Sequence, residues 1–184
     1  MLISMAKLEN MEFYIDPFGK VMIVDKDGVH SYEQEDDDFT SLMFARIEED
    51  YPEAFKALCE VYKSSIPNIR YYRWLVVNRF IRCNLSAYDR KVDIDSQGVF
   101  RLEEVQCPLR GECKHDGVIC NAKFNDKLTE RQREVMRHYC EGLTYVEIAE
   151  ILHISPETVK TIKRNAFRKA GVHDINAFRN KFEV

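Results

Sequence analysis

The chain lacks any apolar run long enough to cross a bilayer. Its start, Met-Leu-Ile-Ser-Met-Ala-Lys-Leu-Glu-Asn, has no basic stretch followed by a sustained apolar core. Neither a membrane protein nor an exported one is expected, and the cytoplasm is the expected compartment. There is no glycine-rich phosphate loop, no paired-histidine metallohydrolase motif and no nucleophile elbow, so no enzyme is expected. Asp16, Asp25 and Asp27 fall in turn sequences and make no acid/base pair. Residues 1–125 lack the alternating β/α units of a phosphoacceptor receiver domain. Repeats and low-complexity segments are also missing. A general excess of positive charge is absent too: the formal net charge is -4 at pH 7. That excludes a nucleic-acid coat over the whole surface but leaves room for a local basic patch.

The charge is unevenly placed. Residues 1–125 hold 16 Lys+Arg against 22 Asp+Glu, whereas residues 126–184 hold 11 against 9. With 184 residues and 45% hydrophobic content, the chain can bury one or two small cores.

The first two thirds predict an α+β domain over 1–122. Met11 to Ile15, Lys20 to Val24 and Val29 to Tyr32 are short β-rich runs separated by the turn signals Asp16-Pro-Phe-Gly19 and Asp25-Lys-Asp-Gly28, a three-strand meander. The acidic run Glu33 to Asp38 is a solvated connector ending in a helix N-cap at Asp38. Phe39, Leu42, Met43, Ala45 and Ile47 then show helical spacing. Pro52 suits the first turn of a second helix, with Phe55, Leu58, Cys59 and Tyr62 inward, and Pro67 starts a third. Trp74 and the Tyr71–Tyr72 pair fit core or interface packing better than a cofactor box. Val92 to Ile94, a turn at 95–98 and Val99 to Val105 predict a β-hairpin.

Six cysteines in a reducing compartment are not expected to form stable disulfides. Cys59 and Cys140 are isolated within helical patterns. Cys107, Cys113 and Cys120 share one turn-rich loop, 107–120, with His115, and Cys83 ends the third helix. Three readings stay open. Cys83, Cys107, Cys113 and Cys120 hold a structural zinc ion that fastens the helices to the hairpin. Alternatively, they form an iron–sulfur cluster or a thiol switch, which makes the protein metal- or redox-responsive. Or they are plain reduced thiols with no cofactor at all. His115 is a further candidate ligand, with a solvated loop histidine as its ordinary reading. The spacing is not that of the common zinc ribbons.

Residues 123–127 form a polar linker, and 128–184 predict an all-α module. Thr129 with Gln132 and Thr144 with Glu147 are capping boxes. Gly142 supplies a left-handed stop between them. Ser155 caps a third helix, and Pro156 takes its first position, where a missing N–H is harmless. On that helix Val159, Ile162, Ala166 and Ala170 share one face at 100° per residue. The opposite face carries Glu157, Lys160, Thr161, Arg164 and Arg168, with Thr158 and Asn165 on its flank. Residues 158–169 hold five cations, Lys160, Lys163, Arg164, Arg168 and Lys169, and no acid. A helix fits the major groove, and Arg, Lys, Asn and Thr read base edges there. The expected DNA-contacting set is Thr158, Lys160, Thr161, Lys163, Arg164, Asn165 and Arg168.

These residues resemble the LuxR/GerE type of helix-turn-helix domain of bacterial transcription regulators. The matching words are Leu128-Thr129, Arg131, Arg133-Glu134-Val135, Gly142-Leu143, Glu147-Ile148-Ala149, Leu152, Ile154-Ser155, Thr158-Val159-Lys160 and Gly171-Val172. The resemblance implies a four-helix fold, a recognition helix from Ser155 to Ala170, and a last helix from Asp174 that often serves dimer contact. Ile162 stands where the family usually has His, and Ala170 where it usually has Leu. Region four of sigma factors shares the topology. The implied partners are double-stranded DNA, a second copy of the chain and RNA polymerase, with the N-terminal domain sensing a signal or dimerising. A protein-interaction adaptor that has kept the helical module without binding DNA is the alternative.

Overall fold

Asp16 shapes the first hairpin. Its carboxylate accepts the N–H groups of Phe18 and Lys20 at 2.9 and 2.7 Å, and Gly19 takes the left-handed conformation that reverses the chain. The hairpin joins β1 (Glu12–Ile15) to β2 (Val21–Asp25), and a second turn joins β2 to β3 (Gly28–Ser31). The three strands pair antiparallel in the order β1-β2-β3, with Phe13 opposite Ile23 and Val24 opposite Val29. The strands start and end within a residue of the expected meander.

The computed structural model describes residues 8–89, 91–96, 98–125 and 127–182. It divides into two compact units, Met1–Phe124 and Asn125–Val184. Gln97 of the expected 95–98 turn and Asp126 of the expected linker lie outside the described residues.

In the first unit, three helices pack with the sheet: α1 (Asp37–Asp50), α2 (Pro52–Val61) and α3 (Ile69–Asn84). Pro52 is at the start of α2 as its fixed φ favours. Phe13, Val21 and Ile23 are buried with Met43 and Ile47 of α1, Leu58 of α2, and Val76, Val77, Phe80 and Ile81 of α3. Trp74 stacks on Tyr71 with ring centroids 5.8 Å apart and packs against this core, while Tyr72 is buried in it.

Three expectations need correction. The N-cap of α1 is Asp36, not Asp38. The Asp36 carboxylate accepts the Glu33 N–H at 2.9 Å, which frees Asp37 and Asp38 for the first turn, where the helix dipole favours acids. The third helix begins after Asn68 rather than at Pro67, because the Asn68 side chain accepts the Tyr71 N–H, a capping bond that proline cannot make. The expected hairpin over 92–105 is reduced to isolated bridges. Ile94 pairs antiparallel with both Met11 and Phe100, and among the described residues no strand of regular length forms there. A short hairpin remains, closed by backbone bonds from the Arg101 N–H to the Asp93 carbonyl at 2.8 Å and from the Asp95 N–H to the Val99 carbonyl at 3.1 Å. Side chains anchor it: the Asp93 carboxylate accepts the Phe13 N–H at 2.7 Å, and Asn84 takes hold of the chain further on.

The second unit contains α4 (Glu130–Cys140), α5 (Tyr145–Leu152), α6 (Pro156–Ala170) and α7 (Ile175–Phe182). Both capping boxes form with both reciprocal bonds present, at Thr129–Gln132 and Thr144–Glu147. Two buried clusters hold the helices. Val135, Ile148, Ala149 and Val159 join α4, α5 and α6. Leu128, Met136, Cys140, Ala166, Ala170 and Phe178 join α4, α6 and α7. Ala149, Ala166 and Ala170 are small, so the backbones approach closely.

Candidate nucleic-acid interface

The turn between α5 and α6 determines where α6 points. His153 adopts a left-handed conformation, φ 52 and ψ 46. The Ile154 N–H then returns to the Ala149 carbonyl at 3.0 Å, the closing bond of a helix C-cap. Glycine usually fills such a position, and a side chain there is strained. Two residues later Ser155 accepts the Thr158 N–H at 3.1 Å and starts α6. Behind the turn, the Arg131 guanidinium from α4 donates to the Leu152 carbonyl at 2.9 Å and pairs with Glu134 at 2.6 Å. One helix end and the next helix start are therefore both capped within a short tight connection.

Along α6 the expected contact residues separate into three groups. Lys160 and Arg164 are exposed, with Thr161 half-exposed between them. Lys160 also pairs with Glu157 at 3.2 Å, an exposed and therefore weak bridge. Thr158 sits in the first turn, its hydroxyl 2.8 Å from that of Ser155. Asn165, expected on the flank of the open face, is 8% exposed, and Arg168 is half-buried and donates to the Asn165 side chain at 3.1 Å. Lys169, one of the five cations counted along the helix, is 2% exposed. The correction has a geometric cause. A helical wheel assumes one buried stripe, but α6 packs against α4, α5 and α7 together, and this widens its covered arc to include 165 and 169.

Lys163 forms a group of its own. Its ammonium lies 5.0 Å from the ring centre of Tyr139, 5.2 Å from Tyr145 and 5.4 Å from Phe167, and donates to the Tyr145 hydroxyl at 2.7 Å. The Tyr139 and Tyr145 rings stack, centroids 5.7 Å apart and 12° from parallel. The hydrogen bond from Lys163 holds the Tyr145 phenol below its ordinary pKa. Partial burial works to lower the pKa of Lys163, but the bond to Tyr145 and the neighbouring phenols outweigh it and raise the value. Lys163 thus stays charged inside an aromatic cage that ties α4, α5 and α6 together. The sequence pattern placed Lys163 among the DNA contacts and did not link it to Tyr139 or Tyr145. The Lys163–Phe167 spacing was a legible signal, since residues four apart on a helix are neighbours. The two tyrosines come from other helices and gave none.

The cysteine loop is a series of turns. Arg110 and Asp116 pair across it at 3.0 Å, and the Asp116 carboxylate also accepts the Gly111 N–H at 2.9 Å. Cys107, Cys113 and His115 are half-buried, Cys120 is buried, and Cys83 is half-buried at the end of α3. Burial pushes the Cys83 thiol up to about 11, and Cys120 is near enough to add to that rise. Among the described residues no group of three or more His, Cys, Asp or Glu side chains is placed to hold a metal ion, so the four thiols do not converge on one point. Burial lowers the pKa of His115.

Comparison with known proteins bears on the second unit. Residues 126–178 match the family described as bacterial regulatory proteins, luxR family. A stretch of 48 residues is 48% identical to a nitrate/nitrite response regulator protein homolog from Haemophilus influenzae. That stretch is 26% of this chain and 23% of the relative, so the match spans about a quarter of each. No solved structure gives a significant match to the chain.

Proposed function

We propose that this chain, in which residues 126–178 form a LuxR-family regulatory domain, is a DNA-binding transcription regulator that lays α6 in the major groove of a duplex. The observation that carries the reading is the open face of α6. It presents Lys160, Thr161 and Arg164 outward, at the end of a capped helix–turn–helix whose other side is buried. Lys160 and Arg164 are the base-edge and phosphate contacts. Thr161 lies between them, against base edges. The first turn of α6, at the positive end of the helix dipole, takes a backbone phosphate. Asn165 and Arg168 support this face from beneath, and Lys163 holds the helix in place.

The protein acts without catalysis, and the first unit receives a signal or dimerises. Two copies then read half-sites about one helical turn apart, roughly 34–36 Å. Binding weakens as salt rises, because each phosphate contact releases counterions. Selection of bound fragments from genomic DNA, followed by mobility-shift titration, tests the assignment. Arg164→Ala is expected to weaken specific binding by roughly 1–3 kcal/mol, about 5- to 150-fold. An Arg164→Ala protein that binds the selected site like the wild type removes the assignment, as does a wild-type protein that retards no fragment at low salt.

A further inference from the structure

Cys83 and Cys120 are remote in sequence, yet one side chain holds their neighbours together. Asn84, fully buried, donates from Nδ2 to the Ile119 carbonyl at 2.8 Å and accepts the Ala122 N–H at 3.4 Å on Oδ1. The next residue back from Asn84 is Cys83, and the next after Ile119 is Cys120. Cys120 and Arg79, the latter one helical turn earlier on α3, both lie close enough to act on the Cys83 thiol. The segment they fasten has little else to hold it. Leu109 and Val118 are exposed, and only Ile119, Cys120 and Ala122 of residues 107–122 are buried among its apolar side chains. A long loop without regular structure inside a packed unit depends on such anchors.

We propose that Cys83 and Cys120 are a reversible redox pair, closed to a disulfide by exchange with a low-molecular-weight disulfide, that locks the 107–122 segment to the end of α3. This site is separate from the DNA-binding reading and does not rest on it. One thiol gives its proton to solvent, and its thiolate attacks a sulfur of the small disulfide RSSR. The S–S bond breaks, a mixed disulfide forms, and RS⁻ leaves and takes up a proton. The second thiolate then attacks the protein sulfur of the mixed disulfide and expels the second RS⁻. Two protein thiols are oxidised by two electrons, and RSSR is reduced to two RSH. The Arg79 guanidinium stabilises the negative charge that develops on Cys83. In a reducing compartment a disulfide of this kind is transient and senses the redox state rather than serving as a fixed staple.

The test uses the full chain equilibrated in mixtures of reduced and oxidised glutathione, quenched by alkylation, and read by intact mass and peptide mapping. The expected result is one intramolecular Cys83–Cys120 link at the oxidising end, with free thiols falling from six to four. Returning the sample to reduced glutathione restores all six. Cys83→Ser and Cys120→Ser each abolish the link, whereas Cys59→Ser and Cys140→Ser leave it. Limited proteolysis within 107–118 is slower in the oxidised wild type. The wild-type peptide map decides the matter even if a variant folds poorly. The proposal is overturned if all six thiols alkylate at every glutathione ratio, or if the link joins Cys107 or Cys113 instead. Zinc at one equivalent in the purified wild type, lost on Cys83→Ser, overturns it too, because the thiols are then metal ligands.

Discussion

Replacing Lys163 with Met separates an internal cation from a phosphate contact. Met keeps an apolar stem of similar length and can still lie against Tyr139, Tyr145 and Phe167, but it loses the charge and the hydrogen bond. A partly desolvated ammonium over aromatic faces contributes about 1–2 kcal/mol, and its bond to Tyr145 about 1 kcal/mol. Sulfur–aromatic contact returns about 0.5 kcal/mol, so the net loss is about 1.5–2.5 kcal/mol. Hydrogen exchange on the full chain reads this where it arises. Amides of α4, α5 and α6 are expected to lose protection roughly tenfold or more, at about 1.4 kcal/mol per factor of ten. The Tyr145 phenol should titrate at higher pH in Lys163→Met, because the cation that lowers it is gone. DNA binding gives the contrast. Each phosphate contact adds about 0.9 to the slope of log affinity against log salt, or about 3.5-fold in affinity between 50 and 200 mM salt. Lys160→Ala is expected to reduce that slope by about 0.9, and Lys163→Met to leave it unchanged. A slope that falls by about 0.9 in Lys163→Met, with exchange protection intact, would refute the internal role and return Lys163 to the contact set.

Thr144→Ala removes the hydroxyl that accepts the Glu147 N–H in the α5 capping box and should destabilise the second unit by about 1 kcal/mol, seen as faster exchange at the start of α5. In the first unit, burial first, and then the nearby Glu103, Glu12 and Asp89, raise the Asp93 carboxyl to about 8, against an ordinary value of 3.8. The folded state therefore holds a proton that the unfolded chain releases, and stability falls as pH rises from about 4 to about 8, by up to about 1.4 kcal/mol per pH unit. Urea titrations across that range should show the decline, and Asp93→Asn, which retains an acceptor for the Phe13 N–H, should flatten it. Arg46 is buried against Asp50 at 3.2 Å, donates to the Gly98 carbonyl at 2.6 Å and covers the Phe100 ring. Arg46→Met should destabilise the first unit by about 3 kcal/mol, because the buried Asp50 loses that partner, and Arg46→Met with Asp50→Leu should recover part of the loss in the same urea titrations.

Local chemistry was legible wherever a few neighbouring residues carried it. The Asp16 turn, Pro52 at the start of α2, both capping boxes and the Ser155–Pro156 start of α6 depend on bonds within about four residues, and each stands where its sequence signal lies; the meander pairs strands joined by such short turns. The same is true of the words shared with the luxR family over residues 126–178. The signals failed where a rival lay close by. At Asn68 a side-chain cap displaced the proline, and at Asp36 a neighbouring amide moved the helix start.

Periodicity and capping, written in the order of the residues, determined that this chain has a short sheet, amphipathic helices and a helix–turn–helix with polar side chains on α6. Tertiary structure alone decided which of those side chains remain outside. Asn165 and Lys169 are covered because three helices close on α6. Lys163 is caged because rings from α4 and α5 meet over it, and the chain beside Cys120 returns to the end of α3 because Asn84 holds the Ile119 carbonyl. The reason is the range of the forces involved. A cap or a turn needs only its own few residues, whereas burial depends on whatever distant part of the chain comes to rest against a given face.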